Sequence, residues 1–164
     1  MATALARHGD STVYQELARE EAIELIKQVF NQDSPDPETV AVCVLTLNDR
    51  KVRDVVVLWL SLMSDEELLH ASRLLRIGLG VLGGQTIDSE LFGLAPGLTV
   101  LAITQALKGN MERSEHVAEL ALGFDPGYML AKHVRNWRES GLTDEHMRFS
   151  ISQITYDKAR YGAL

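Results

Sequence analysis

Glu67 and His70 are the pair of side chains whose spacing best suits metal chemistry, because they form a Glu-x-x-His motif. On a helix this spacing places a carboxylate and an imidazole on one face, where both could reach a single ion. Carboxylate di-iron bundles need two such motifs and two further glutamates, and only one motif is present here. Ser64 and Glu67 also match a capping box, in which the glutamate accepts a hydrogen bond from the backbone N–H of the capping serine. Glu67 therefore has a structural role at the start of a helix. We therefore expect no metal site.

Two other patterns that can support catalysis are incomplete. Residues 78–83 read G-x-G-x-x-G, but a dinucleotide site needs a strand before this motif and a helix after it. An amphipathic helix precedes it here, so we expect the glycines to end that helix and to permit a close crossing of two segments. No Gly-x-Ser-x-Gly elbow is present, and the histidines are scattered at His8, His70, His116, His133 and His146. We expect no cofactor and no enzymatic activity.

The basic and aromatic residues of the C-terminal part suggest a different kind of site. Arginine and aromatic side chains are enriched in protein interfaces, and the same mixture can stack on nucleic-acid bases. Buried aromatic residues beside solvated charges explain the pattern more simply, because long amphipathic side chains commonly line ordinary helices. The partner-binding face that we predict combines Tyr128, His133, Trp137, Arg138 and Arg148.

Composition narrows the possible partners and compartment. The chain has 164 residues, of which 46% are hydrophobic and 24% charged, as in ordinary globular domains. Its net charge of −7 argues against a surface that binds phosphates without regard to sequence. The single Cys43 excludes an intrachain disulfide, and its apolar neighbours favour a small buried residue. The longest apolar run is much shorter than the ~20 residues of a membrane span, and no secretory signal is evident, so we expect a cytoplasmic protein.

The N-terminal half contains patterns for four helices. Tyr14 to Phe30 is amphipathic, Asp36 and Pro37 suit the start of a second helix, and its residues 40–47 are also compatible with a strand. Asn48 is predicted to cap a third helix whose residues 55–60 are apolar nearly all round, so this helix should lie deep in the bundle. Ser64 is predicted to cap the fourth helix, which ends in the glycines from residue 78 onwards.

The C-terminal half predicts four further elements. Pro96 starts one helix and Gly109 ends it, while Asn110 caps the next, which Gly123 ends. Asp125 and Pro126 start another helix, which runs to Glu139 and stops at Gly141. Thr143 caps the last helix, with a buried stripe at Met147, Ile151, Ile154 and Ala159.

These elements predict one all-α domain over residues 1–164, a bundle of about seven or eight helices. Its N-terminal helices occupy residues 1–82, a glycine-rich linker occupies 83–96, and a helical hairpin with the C-terminal helices occupies 97–164.

Residues 95–131 resemble a tetratricopeptide repeat in the positions of their small and apolar residues. The matching residues are Leu101, Ala102, Gly109, Ser114, Ala118, Ala121, Leu122, Asp125 and Pro126. Leu98 and Gln105 depart from it, since aromatic residues usually stand there. Only about one and a half units are present, fewer than the ~3 that a stable array needs. The resemblance therefore implies a repeat-like helix-turn-helix hairpin within a bundle.

A second resemblance covers residues 45–148 and concerns the actinobacterial domain-of-unknown-function family 4192. The matching residues are Val52-Arg53-Asp54, Ala95-Pro96, Gly109-Asn110, Ala121-Leu122, Asp125-Pro126-Gly127-Tyr128, Leu130-Ala131 and Gly141-Leu142. The resemblance implies an actinobacterial or actinobacteriophage source and the helical C-terminal half of such proteins. The strand-rich N-terminal half of longer members has no counterpart in this sequence. The family has no assigned activity, so the resemblance implies a fold and no function.

Three hypotheses for function follow. The first is a non-enzymatic module that binds a protein partner or a second copy of itself, since no catalytic arrangement is evident and helical hairpins present grooves. The alternative is a nucleic-acid-associated regulator that uses the basic C-terminal helices. The third is a metal-dependent enzyme built on Glu67 and His70. For Arg53 and Asp54 we expect a structural role, in which they pair with neighbouring helices.

Overall fold

The structure, a computed structural model, describes residues 11–84, 93–143, 145–151 and 153, with side chains from residue 16. Within these residues it is entirely helical, which confirms the predicted all-α bundle. The helices are α1 (Ser11–Phe30), α2 (Pro37–Thr46), α3 (Arg50–Ser61), α4 (Asp65–Gly84), α5 (Ala95–Leu107), α6 (Met111–Phe124), α7 (Met129–Arg135) and α8 (residues 145–151 and 153). None of the described helices combines the length and apolar character needed to cross a membrane.

Most helices begin where the capping patterns predict. The Asp36 carboxylate accepts a hydrogen bond from the Thr39 backbone N–H at 2.9 Å, with Pro37 in the first turn. Ser64 N–H donates to Glu67 Oε2 at 2.7 Å, and Glu67 N–H donates back to Ser64 Oγ at 3.4 Å. These bonds satisfy backbone donors that have no partner inside the helix, which confirms both caps.

The predicted turn between α5 and α6 is also confirmed. Gly109 has a φ of +74°, a conformation that favours glycine, and the amide oxygen of Asn110 caps α6 through the Arg113 N–H. Thr143 Oγ1 accepts from His146 N–H at 3.3 Å and so caps α8 as predicted. The structure shows neighbouring helices α5 and α6 at this turn, and their tetratricopeptide-like character stays a prediction.

The prediction that Asn48 caps α3 is wrong by one residue. Asp49 Oδ1 accepts from the N–H groups of Lys51 at 2.8 Å and Val52 at 3.2 Å, while the Asn48 side chain donates to Leu45 O at the end of α2. A carboxylate accepts more strongly from backbone N–H groups than an amide oxygen does, and it complements the positive end of the helix dipole. Arg19 Nε also donates to Asp49 Oδ2 at 2.8 Å, which ties this cap to α1.

The helix after Asp125 is shorter than predicted. Asp125 Oδ1 accepts from Gly127 N–H at 2.8 Å, which closes a turn through Pro126, and α7 begins only at Met129. Such side-chain-to-backbone bonds give aspartate an alternative to helix initiation. Turns follow the end of α7 at Arg135, so the prediction of a continuous helix to Glu139 is wrong. Gly123 also lies inside α6, which ends at Phe124.

α4 is longer than predicted, because it continues through Gly78, Gly80 and Gly83 as far as Gly84. Gly78 instead allows α4 to approach α2 closely. A Cβ atom built on Gly78 would lie 2.7 Å from Val44 Cγ2 and 3.0 Å from Val40 O. The predicted close crossing is therefore present between α2 and α4, and it lies inside α4 and not at its end. Most of the predicted linker, residues 85–92, lies outside the described residues.

The centre of the bundle is α5, in which every residue except Leu98 is buried. Its sequence has no charged residue, and its polar side chains find partners inside the protein. Thr99 and Thr104 donate to the carbonyl oxygens four residues earlier, at 2.7 and 2.8 Å, and Gln105 Nε2 donates to Ser72 Oγ of α4 at 2.6 Å. A fully buried helix is stable only when such groups are satisfied.

The prediction that α3 lies deep in the bundle is wrong, because only one of its faces is buried. The structure buries one face of α3, at Val52, Arg53, Val56, Leu60 and Ser61, while Val55, Val57, Leu58 and Trp59 are half-buried. The physical reason is the charged start of α3, because Arg50, Lys51 and Asp54 need water or ion partners and keep the helix at the side of the bundle. α5, which is apolar and has no charged residue, lies at the centre of the bundle instead.

Arg148 of α8 joins the C-terminal ends of two other helices. Its Nη1 donates to the carbonyl oxygens of Ser61 at 3.1 Å and Met63 at 2.7 Å, and its Nη2 donates to Leu107 O at 3.2 Å. The last carbonyls of a helix have no partner within it, so one guanidinium satisfies acceptors of both α3 and α5. Of the predicted stripe, Met147 is buried and Ile151 half-buried, and Ile154 and Ala159 lie outside the described residues.

Candidate functional site

The site begins with a contact between Arg53 of α3 and Tyr128, the residue before α7. Arg53 Nη1 donates a hydrogen bond to the Tyr128 hydroxyl, and the guanidinium carbon lies 5.7 Å from the centroid of the tyrosine ring. The capped start of α3 presents Arg53, and the Asp125–Gly127 turn presents Tyr128. The contact joins residues 75 positions apart in the sequence.

Arg53 is an unusual residue for this position because it is 9% exposed. Its Nη2 lies 3.4 Å from Asp54 Oδ1, and its buried Nε–H has no hydrogen-bond partner among the residues that the structure describes. Asp54 is shared, since its Oδ2 also lies 3.7 Å from Arg50 Nε. A guanidinium stays charged at any ordinary pH, so burial with so few close acceptors is costly.

These side chains surround an open pocket with a volume of about 410 Å³. We call it the Arg53 pocket, and its lining residues are Arg50, Arg53, Asp54, Tyr128, Met129, Leu130 and His133. Two arginines and a histidine face one carboxylate in this lining, while Met129 and Leu130 supply apolar surface. Such a mixture of apolar walls and a few convergent polar groups is typical of binding sites.

The Tyr128 phenol is a neutral partner for Arg53. Burial raises the pKa of this phenol above its usual value, and the nearby carboxylates of Asp54 and Asp125 raise it further, whereas the Arg53 guanidinium lowers it. The net direction is upward, so the hydroxyl keeps its proton at neutral pH. It accepts a hydrogen bond from Arg53 without neutralising the positive charge.

The structure brings together two of the five residues predicted for the binding face, Tyr128 and His133, which line the Arg53 pocket. Trp137 is half-buried and packs against the main hydrophobic core. Arg138 is exposed and donates to Glu115 Oε2 of α6 at 3.0 Å. Arg148 points inward to the ends of α3 and α5, so its observed contacts are structural.

Sequence reasoning missed the other lining residues of the pocket. Arg53 was expected to pair with a neighbouring helix, and its contact with Tyr128 agrees with that expectation. Arg50, Met129 and Leu130 carried no signal of their own, because no rule of spacing connects the start of α3 with the start of α7. A charged residue within an otherwise apolar helical face, as Arg53 is between Val52 and Val56, is the feature that could have drawn attention to the site.

A second groove, with a volume of about 510 Å³, lies at the other end of α3 and contains Glu67 and His70. Hydrogen bonds from the Ser64 hydroxyl and N–H lower the pKa of the Glu67 carboxyl below its usual value, and both bonds use the same oxygen, Oε2. Among the described residues, no three His, Cys, Asp or Glu side chains converge on a point where they could hold a metal ion.

Cys43 is buried in α2, as the sequence predicted. Burial raises the pKa of its thiol to about 11, because a thiolate would be poorly solvated there. The thiol is therefore protonated at neutral pH, and a protonated, inaccessible thiol is a poor nucleophile.

Comparison with known proteins identifies the family. A family model described as "Domain of unknown function (DUF4192)" matches residues 1–145. The chain belongs to this family. The match confirms the resemblance seen in the sequence and extends it to the N-terminal helices. Two blocks that carry the resemblance, Val52–Asp54 and Asp125–Tyr128, meet at the Arg53 pocket. No curated protein and no solved structure matches the chain.

Proposed function

We propose that this member of the DUF4192 family is a non-catalytic module that binds a protein partner, either another protein or a second copy of itself. The surface that we assign to binding comprises Leu120 and Phe124 of α6, Met129 of α7, and the Arg53 pocket, which Met129 lines. The observation that carries the proposal is the exposure of these large apolar side chains, one of which lines a pocket with a buried arginine.

The three apolar side chains are open to solvent. Leu120, Phe124 and Met129 are 48%, 62% and 60% exposed. Leu120 and Phe124 are four residues apart on α6, so they are neighbours on one helical face. Met129 begins α7 and lines the Arg53 pocket, so the pocket has an exposed apolar side chain in its wall. Aromatic residues, methionine and arginine are enriched in protein interfaces, and an exposed apolar group of this kind commonly marks one.

The surface keeps Tyr128 and His133 from the predicted binding face and replaces the other three residues. Arg138 and Arg148 already bond to protein groups, and Trp137 packs on the core. The actinobacterial or actinophage origin implied by the sequence resemblance stays a prediction.

The alternative, a nucleic-acid-associated regulator, is supported by fewer residues. The last turn of α7 carries Lys132, His133 and Arg135, which could contact phosphates. The contacts of Arg138 and Arg148 with Glu115 and with backbone carbonyls remove two arginines from that basic surface. If this alternative holds, binding to duplex or single-stranded DNA at low salt weakens steeply as salt is raised.

Affinity purification with a paired variant tests the protein-binding proposal. The full-length protein is used as bait in an extract of its source organism, beside the double variant Leu120→Ser with Phe124→Ser. We expect a stoichiometric protein on the wild type, or concentration-dependent dimers in sedimentation velocity, and binding about tenfold weaker or more in the double variant, since buried apolar anchors dominate interface energies.

Leu62→Ser is the matched control, because Leu62 is 69% exposed but follows α3, away from the proposed surface in the sequence. It should bind as the wild type does. The proposal fails if the wild type captures no protein above empty beads and stays monomeric, or if the double variant and the control bind equally well.

A further inference from the structure

The Arg53 pocket has more positive than negative charge in its lining. Arg50 and Arg53 both approach the Asp54 carboxylate, at 3.7 and 3.4 Å, and His133 adds a third basic group. Asp125 lies close enough to influence Tyr128, but it is exposed, accepts from Gly127 N–H and does not line the pocket. The pocket is thus a locally basic site in a protein whose net charge is −7.

Arg53 is the group that most needs a further partner. It is 9% exposed, and its partners are the neutral Tyr128 hydroxyl and a carboxylate that Arg50 shares. Within the described part of the chain, no acceptor meets the buried Nε–H. Buried charges in proteins are normally paired closely and hydrogen-bonded, and a buried charge left incompletely paired is destabilising. The arrangement at Arg53 is what a site prepared for an incoming anion would show.

We propose that the Arg53 pocket binds a carboxylate of the partner protein, from an aspartate or glutamate side chain or from the partner's C-terminus. This inference rests on the proposed protein-binding function and names the group that is recognised. A carboxylate supplies two acceptor oxygens that match the planar donor geometry of a guanidinium. The apolar Met129 and Leu130 beside the arginines fit a carboxylate that is carried on a peptide with apolar neighbours.

A peptide is favoured over inorganic phosphate by the charge and the walls of the site. Two guanidiniums and one carboxylate leave a surplus of a single positive charge before His133 is counted, which one carboxylate balances. A doubly charged phosphate would exceed this surplus, and it would leave the apolar wall at Met129 and Leu130 without a partner.

The test follows the Arg53 Nε–H resonance by nuclear magnetic resonance of the full-length, isotopically labelled protein. The probes are sodium acetate and an acetyl-Leu-Glu-Phe-amide peptide, each added at constant ionic strength against sodium chloride. We expect a saturable shift of the Arg53 signal, with tighter binding of the peptide than of acetate. Replacing the peptide's glutamate by glutamine should weaken its binding about tenfold or more, because it removes a charge-assisted hydrogen bond.

The control is the exposed Arg113 on α6, whose Nε–H should show only the linear drift caused by added salt. The Arg53→Lys variant, which keeps the charge and loses the fork of donors, should also bind the peptide about tenfold more weakly. The wild-type signal decides the outcome even if that variant does not fold. A linear shift at Arg53 equal to that of Arg113 overturns the proposal, as does inorganic phosphate binding more tightly than the peptide.

This result can be separated from the test of protein binding. If the Arg53 signal does not respond while a partner is still lost with the Leu120 and Phe124 variant, the module binds proteins and the carboxylate assignment is wrong. If the Arg53 signal responds to acetate and no partner is captured, the anion site is real and the proposed function is wrong.

Discussion

The interior around α5 and the Arg53 pocket use the same side chain, arginine, in opposite ways. Arg148 at the edge of the interior donates to three carbonyl oxygens and also to Asp65 Oδ1 at 3.3 Å, so its charge is met by acceptors on several sides. Arg53 is more deeply buried and has a neutral hydroxyl, a shared carboxylate and, among the described residues, no acceptor for its Nε–H. Several protein acceptors around one guanidinium are typical of a structural arginine, whereas few acceptors around a buried guanidinium at a pocket favour a role in binding.

The largest effect is expected from Arg148→Met, which keeps much of the side-chain length and removes every donor. The carbonyl oxygens of Ser61, Met63 and Leu107 lose their shared partner, so the free energy of unfolding should fall by about 2–4 kcal/mol. Urea denaturation followed by circular dichroism measures this change. Arg73→Met, on an exposed position of α4, is the control and should change stability by less than about 0.5 kcal/mol. A loss below about 1 kcal/mol at Arg148 would remove the contrast with Arg53.

A smaller effect is expected from Gly78→Ala, which tests how tightly the interior is packed. The added methyl group would meet Val44 and the Val40 carbonyl, and the resulting repacking should lower the free energy of unfolding by about 1–3 kcal/mol. Gly80→Ala in the same helix meets nothing within 4 Å and should raise stability by up to about 1 kcal/mol, since alanine is the better helix former. Thermal denaturation compares the midpoints of the two variants. A raised midpoint in both would show that α2 and α4 are loosely packed where they cross.

The smallest effect on stability is expected from Arg53→Met. Loss of the bond to Tyr128 is offset by removal of an incompletely paired buried charge, so the free energy of unfolding should change by less than about 1 kcal/mol in either direction. Urea denaturation measures it beside Arg148→Met under the same conditions. A loss of more than about 2 kcal/mol would place Arg53 with Arg148 as a structural residue and would weaken the case for a ligand in the pocket.

Local features of the fold were largely predictable because they depend on nearby residues. The caps at Asp36, Ser64 and Asn110 and the turn at Gly109 follow from side chains that reach only two or three positions along the sequence. Where two local signals competed, sequence reasoning chose wrongly. Asp49 displaced Asn48 as the cap of α3, and the Asp125 turn delayed the start of α7, because one short hydrogen bond decided each outcome.

The candidate site was predictable only in part. Tyr128 and His133 were identified by residue type. Arg53, which lines the same pocket, belongs to α3 and lies beside Tyr128 only because the helices pack together. Arg148 has the same residue type as Arg53, and the sequence does not distinguish a guanidinium that bonds to helix ends from one that faces a pocket. Apart from Asp54, which follows Arg53 directly, the acceptors of the two guanidiniums come from elements 41 to 87 residues away.

The sequence by itself determined the helical class, the capped starts of α2, α4, α6 and α8, and the family, since periodicity, capping residues and short motifs act over one or two helical turns. Only the tertiary structure decided that α5 occupies the centre, that Gly78 is a contact point within a helix, and that Arg53 meets Tyr128. These outcomes depend on which helix faces minimise buried charge and empty space together. The packing arrangement depends on all the helices together, so it cannot be derived from any single stretch of the sequence.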